Sequence, residues 1–98
     1  MLIVLAKITA KEGMVDNILN ESKALIEATR KEEGCIEYNL YNSVEKKNIL
    51  TFVEKWDSKE SLESHIKQTH FINFGSAIEN YLGKDLEISI YSSEEITL

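Results

Sequence analysis

The stretch CIEYNLYNSVEKKNILTFVEKW, residues 35–56, decides the fold. In its first half Ile36, Tyr38 and Leu40 alternate with Glu37 and Asn39. In its second half Leu50, Phe52, Glu54 and Trp56 alternate with Thr51, Val53 and Lys55. A period of two means successive side chains on opposite faces of a strand, so the segment predicts strands over Cys35–Val44 and Asn48–Trp56. The polar Glu45-Lys46-Lys47-Asn48 joins them as a hairpin turn, with Asn48 able to take the left-handed conformation such turns use.

Upstream, Val15, Ile18, Leu19, Leu25 and Ile26 follow helical spacing from Met14 to about Lys31, and Gly34 stops the helix. Before it, Leu2–Thr9 is aliphatic on both parities, the mark of a strand covered on both faces, and Gly13 closes the following turn. Downstream, Asp57-Ser58-Lys59-Glu60 reads as a capping box with Asp57 as N-cap, opening a helix whose buried stripe is Leu62 and Ile66. After a break near Thr69, helical spacing resumes through Phe71, Phe74, Ile78, Tyr81 and Leu82, and Gly83 ends it. Leu86, Ile88 and Ile90 then alternate with Glu87, Ser89 and Tyr91 as a last strand, with Ile96 and Leu98 beyond a polar gap.

The order β-α-β-β-α-β predicts an α+β, ferredoxin-like domain over residues 1–98, with both helical regions on one face of a four-stranded antiparallel sheet. The first and third strands are apolar on their other parity too. A second copy of the sheet would cover that face, so a homodimer is expected.

Composition narrows the function classes. The 98 residues are 43% hydrophobic and 29% charged, a globular balance. Eleven Lys and Arg against 17 Asp and Glu give a net charge of -6, which repels phosphate backbones and anionic lipid, so no nucleic-acid or membrane partner is expected. The longest apolar run, Met1–Ala6, is far short of the roughly 20 residues that span a bilayer and lacks a signal peptide's basic flank, pointing to the cytoplasm. The single cysteine, Cys35, forms no internal disulfide and no thiolate cluster, and reads as a small inert hydrophobe.

No phosphate loop, dinucleotide fingerprint or nucleophile elbow is present, so chemistry has to come from individual residues. His65 sits at the edge of the Leu62 stripe, where a histidine suits proton abstraction near neutral pH. Its plainer reading is a boundary histidine. His65 and His70 are five apart, about 140° around a continuous helix, so no metal site is expected from them. Trp56 shares a strand face with Phe52 and Glu54, and Tyr38 lies on the neighbouring strand. These aromatics read either as core or as walls of a ligand pocket. Glu32, Glu33, Glu60 and Glu63 read as solvated surface.

As a set the residues are more specific. Glu32-Glu33-Gly34-Cys35-Ile36-Glu37-Tyr38, then Glu54-Lys55-Trp56-Asp57-Ser58, Leu62, His65 and His70-Phe71 resemble the pattern of the antibiotic biosynthesis monooxygenase family, over nearly the whole chain. The family's proline in the Gly-Cys turn is Glu33 here, and the one before His-Phe is Thr69, both changes in loops. The resemblance implies a dimeric α+β barrel, with a ligand cavity between sheet and helices in each subunit. Enzymes of the family include cofactor-free monooxygenases acting on phenolic or quinol-like substrates. On that reading His65 is the base, Glu54 a second possible base, and Trp56, Tyr38, Phe52 and Leu62 contact the substrate, with no cofactor and no metal. Related haem-degrading oxygenases use an Asn, a Trp and a His at positions that the resemblance matches to Lys7, His65 and Gly75 here, which disfavours haem. A non-catalytic dimeric binding module, or an isomerase on the same scaffold, is the alternative.

Overall fold

The alternation in residues 49–56 reappears as alternating burial. Leu50, Phe52, Glu54 and Trp56 are all buried, while Ile49, Thr51, Val53 and Lys55 are partly covered. They belong to the third of four strands in a computed structural model that describes residues 1–98. In chain order the elements are β1 (Leu2–Thr9), α1 (Val15–Thr29), β2 (Cys35–Asn42), β3 (Ile49–Trp56), α2 (Lys59–His65), α3 (Thr69–Ile78), a 3-10 turn over Glu79–Tyr81, and β4 (Glu87–Ser92). The sheet order is β2-β3-β1-β4 and every pairing is antiparallel, so the domain is ferredoxin-like α+β, as expected. The second helical region is two helices and a short turn, the break falling just before Thr69 as expected. No helix is long and apolar enough to cross a membrane.

The core lies between the sheet and the helices. Val4 and Ile8 of β1 and Leu50, Phe52 and Trp56 of β3 meet Ile18 and Leu25 of α1 and Ile78 of α3. The helices cover β2, β3 and β1 but leave the β4 edge bare. Ile88 and Ile90, paired with Ala6 and Val4, remain more than half exposed although they are strand residues of the sheet's helical side. That uncovered edge opens the cavity described below.

Three local expectations are corrected. No residue other than glycine has a positive φ, so Asn48 does not make a left-handed turn. The hairpin is held by side chains instead: Ser43 Oγ accepts from the Glu45 and Lys46 amides, and Asn42 Nδ2 donates to the Lys47 and Ile49 carbonyls. The N-cap of α2 is Ser58, not Asp57. Its Oγ accepts from the Ser61 amide, while Asp57 Oδ1 accepts from Ser61 Oγ, which with Ser58 holds that carboxylate below its usual range. Ile66 is about half exposed rather than part of a buried stripe, because α2 stops at His65 and the chain turns away.

Gly34 controls the descent from α1 into β2. Its φ is +86°, a region costly for L side chains, and its carbonyl accepts from the Asp57 amide at 2.9 Å. A Cβ there would run into the Ser61 hydroxyl and the Asp57 carboxylate. Gly13, at φ +78°, has open space around it. Gly13→Ala is therefore expected to cost about 1 kcal/mol from backbone strain alone, and Gly34→Ala clearly more. Urea unfolding of both variants measures the difference, and equal costs would contradict it.

Candidate functional site

The site is built where three segments meet. After α1 the chain tightens through turns in which the Lys31 amide donates to the Ala28 carbonyl and the Glu32 amide to the Thr29 carbonyl. Arg30 fastens this loop to β2, donating from Nε to the Tyr38 carbonyl and from Nη2 to Asn39 Oδ1. Glu32 is thereby pressed inward, its side chain about 10% exposed. It meets the junction of α2 and α3, where His65 is the last residue of the first helix and His70 the second of the next.

Glu32 Oε2 lies 2.7 Å from His65 Nδ1 and 2.8 Å from His70 Nε2. This overturns two expectations. Glu32 is not solvated surface, and the break between helices lets both histidines reach one atom, which the angle on a continuous helix forbids. The three side chains are also the donor set of a possible divalent cation site, with ligand atoms within 4.8 Å of one another.

His65 is more enclosed than a boundary residue, being fully buried. Its ring packs at centroid distances of 4.7 Å from Trp56, 5.0 Å from Phe71 and 5.4 Å from Tyr38. Burial lowers its pKa against the opposing pull of Glu32, so the neutral imidazole is favoured. Its Nε2 is buried and has no hydrogen-bond partner.

Beside it, on β3, Glu54 is buried and accepts a hydrogen bond from Trp56 Nε1 at 3.0 Å. Burial raises the carboxyl pKa to about 7, partly offset by the Trp56 bond and reinforced by the charge of Glu32. Tyr38 pairs with Glu54 across the hairpin, and burial holds its phenol protonated well past the ordinary range. Cys35 is likewise pushed up, to about 11, chiefly by burial, and is no nucleophile.

His65 and Glu54 both line a cavity of about 610 Å³, walled by Leu2, Val4 and Ala6 of β1, Leu62 of α2, Phe71 of α3 and Ile88 and Ile90 of β4. That volume is in the range that holds a small ligand, and the wall is mostly apolar. Of the expected site residues, Leu62, Glu54 and His65 face this cavity. Tyr38 and Phe52 border a smaller void of about 70 Å³ that shares Glu54 and Phe71 with it. Trp56 lines neither and stands behind them, fully buried, as the donor that holds Glu54. Glu32, expected as solvated surface, and Phe71, expected only as part of a helical stripe, are the site residues without an assigned role in the sequence, although both stand in the motif that carries the family resemblance.

Fold and site together define a ferredoxin-like domain with a mostly apolar cavity, open at the β4 edge, whose wall carries His65, favoured neutral, and Glu54, whose carboxyl pKa is raised to about 7. The chain belongs to the antibiotic biosynthesis monooxygenase family, whose model matches residues 1–76. Among solved structures, a conserved protein from Methanosarcina mazei Go1 is 40% identical, with a TM-score of 0.91, covering 95% of this chain and 92% of that one. A structure described as an antibiotic biosynthesis monooxygenase is 25% identical with a TM-score of 0.90, covering 97% of this chain and all of that one. The uncharacterised protein sll1783 of Synechocystis sp. is 30% identical over 96% of this chain, which spans only 64% of that longer protein. YcnE of Bacillus subtilis, provisionally named a monooxygenase, is 27% identical over 90% of this chain and 93% of its own length.

The raised pKa of Glu54 has a consequence for stability. Because the folded value of about 7 exceeds the ordinary 4.5, the fold favours the protonated form. The resulting contribution is full below about pH 4.5 and is lost as pH rises through 7, on the order of 3 kcal/mol. The stability difference between wild type and Glu54→Gln, which keeps an acceptor for Trp56, should therefore shift against wild type between pH 5 and 8. Urea titrations at several pH values check this; a pH-independent difference would contradict it.

Proposed function

We propose that the chain is a monooxygenase-like enzyme that oxidises a small phenolic or quinol-like aromatic with molecular oxygen, the substrate itself supplying the electrons. One observation carries the reading. In the wall of a mostly apolar cavity, His65 carries a neutral imidazole whose enclosed Nε2 lacks a partner. A phenolic hydroxyl is the kind of group that satisfies such an acceptor while its ring fills the apolar space.

In this mechanism Nε2 takes the phenolic proton, and the electron-rich phenolate gives electrons to oxygen held in the same mostly apolar cavity. For 1-naphthol as a worked case, a carbon–oxygen bond forms at the ring carbon para to the hydroxyl. The proton on that carbon passes to the distal oxygen as the O–O bond breaks, and the departing hydroxide takes the proton His65 had stored to become water. Naphthol plus oxygen becomes naphthoquinone plus water, a balanced four-electron oxidation of the ring in which O2 accepts all four electrons and one of its oxygen atoms is retained. Glu54, poised near neutrality, is the second group that can accept or return a proton.

The reading includes a homodimer in the cytoplasm. On the sheet face away from the helices Leu5, Tyr41 and Tyr91 are 37%, 58% and 53% exposed, and Ile3 and Val53 lie among them. A second sheet is the natural cover for such a face. Sedimentation at micromolar concentration should give about twice 11.2 kDa, and a monomer alone would refute the dimer.

The functional test is oxygen uptake by chelator-treated protein on a panel of hydroquinones and naphthols. His65→Gln, which spares more of the packing than Ala would, should lower turnover about 100-fold or more. Saturable binding without uptake would instead favour a binding module. Trp56→Ala should lose both activity and stability, about 3 to 5 kcal/mol of the latter, since it removes a fully buried ring and the donor to Glu54.

A further inference from the structure

Glu32 and His70 lie outside the cavity wall, yet both bear on a residue that forms it. An ionised carboxylate only accepts, so each ring nitrogen that contacts Glu32 Oε2 carries its proton there. For a neutral His65, protonation at Nδ1 leaves the lone pair on Nε2, the buried nitrogen without a partner. The opposite tautomer would face a lone pair against the carboxylate at 2.7 Å and leave a buried N–H unmatched.

We propose that Glu32 and His70 are a positioning pair for the cavity: Glu32 fixes His65 in its Nδ1–H tautomer, and His70 holds Glu32 in place by donating to the same oxygen. This rests on the reading of His65 as the base. Neither residue is catalytic; each acts through His65. The arrangement also explains why two imidazoles converge on a single oxygen. Glu32 arrives on a loop, and a carboxylate on a loop can swing to solvent unless a second element restrains it. His70 supplies that restraint from the first turn of α3, at the helix break that frees it from the α2 axis. With His70 side chain 23% exposed and Glu32 only 10%, the restraint sits on the outer side of the carboxylate.

The same three groups could instead ligate a divalent cation, and the two arrangements differ in protonation. A cation on Nδ1 displaces its proton and leaves the proton of neutral His65 on Nε2, removing the acceptor that the positioning role requires.

The test is long-range ¹H–¹⁵N correlation NMR of the histidine rings in unliganded, chelator-treated protein at about pH 7.5. Neutral His65 with a pyrrole-type Nδ1 and a pyridine-type Nε2 is expected. Glu32→Leu should bring in the other tautomer, and His70→Ala should do so partially. His70→Gln, whose amide still donates, should restore the wild-type pattern. A wild-type His65 that is imidazolium, or protonated at Nε2, overturns the proposal, as does an unchanged pattern in Glu32→Leu. Should Glu32→Leu fail to fold, the wild-type spectrum and the two His70 variants still decide. Stoichiometric Zn(II) uptake with loss of the Nδ1 proton signal overturns it in favour of a metal site. None of these readouts uses turnover, so an inert His65→Gln result in the oxygen assay and a wrong tautomer here are separate failures.

Discussion

One carboxylate oxygen ties the site together. Glu32 Oε2 receives an imidazole from the end of α2 and another from the start of α3, and the loop that carries it is pinned to β2 by Arg30. Three segments far apart in sequence are thus fastened at one point. The ring of His65 then packs tilted against Trp56 and edge-on to Tyr38 and Phe71, with one nitrogen engaged and one left over. A buried polar atom without a partner is costly, and proteins retain such atoms where a ligand or a reaction uses them.

The electrostatics follow from burial more than from pairing. His65 is pushed toward its neutral form and Glu54 toward its protonated form by the same apolar surroundings. Two groups with opposite charge preferences in water therefore approach neutrality together on one cavity wall. Such a wall can exchange protons with a ligand without placing a permanent charge beside an apolar ring. Trp56 contributes from behind by holding one oxygen of Glu54, which explains how a residue outside the cavity bears on it.

The fold was legible in the sequence because period-two alternation in residues 35–56 and helical spacing on either side are local signals; burial obeys the alternation throughout β3, but not at Ile36, which a register shift between Cys35 and Glu37 leaves about half exposed. Turn and cap chemistry was less legible. Ser58 and Asp57 are adjacent potential caps, and both engage Ser61, Ser58 Oγ accepting from its amide and Asp57 Oδ1 from its hydroxyl, so residue type alone does not choose between them. Of the site, His65, Glu54 and Leu62 were readable as types of residue on the right faces. The role of Glu32 was not, because its desolvation comes from residues 33 and 38 positions later in the chain. The helix break after His65 likewise brings His70 to it only in three dimensions.

The account depends on His65 acting as a base toward a phenolic guest, and this can be seen without oxygen. Anaerobic titration of the protein with 1,4-dihydroxynaphthalene, followed by ultraviolet difference spectroscopy near pH 7, reports whether the bound ligand is ionised. The account predicts a phenolate-type band that saturates with binding in the wild type and is absent from His65→Gln at equal occupancy. A bound ligand that keeps its phenol spectrum in the wild type, or an undiminished phenolate band in His65→Gln, would contradict it.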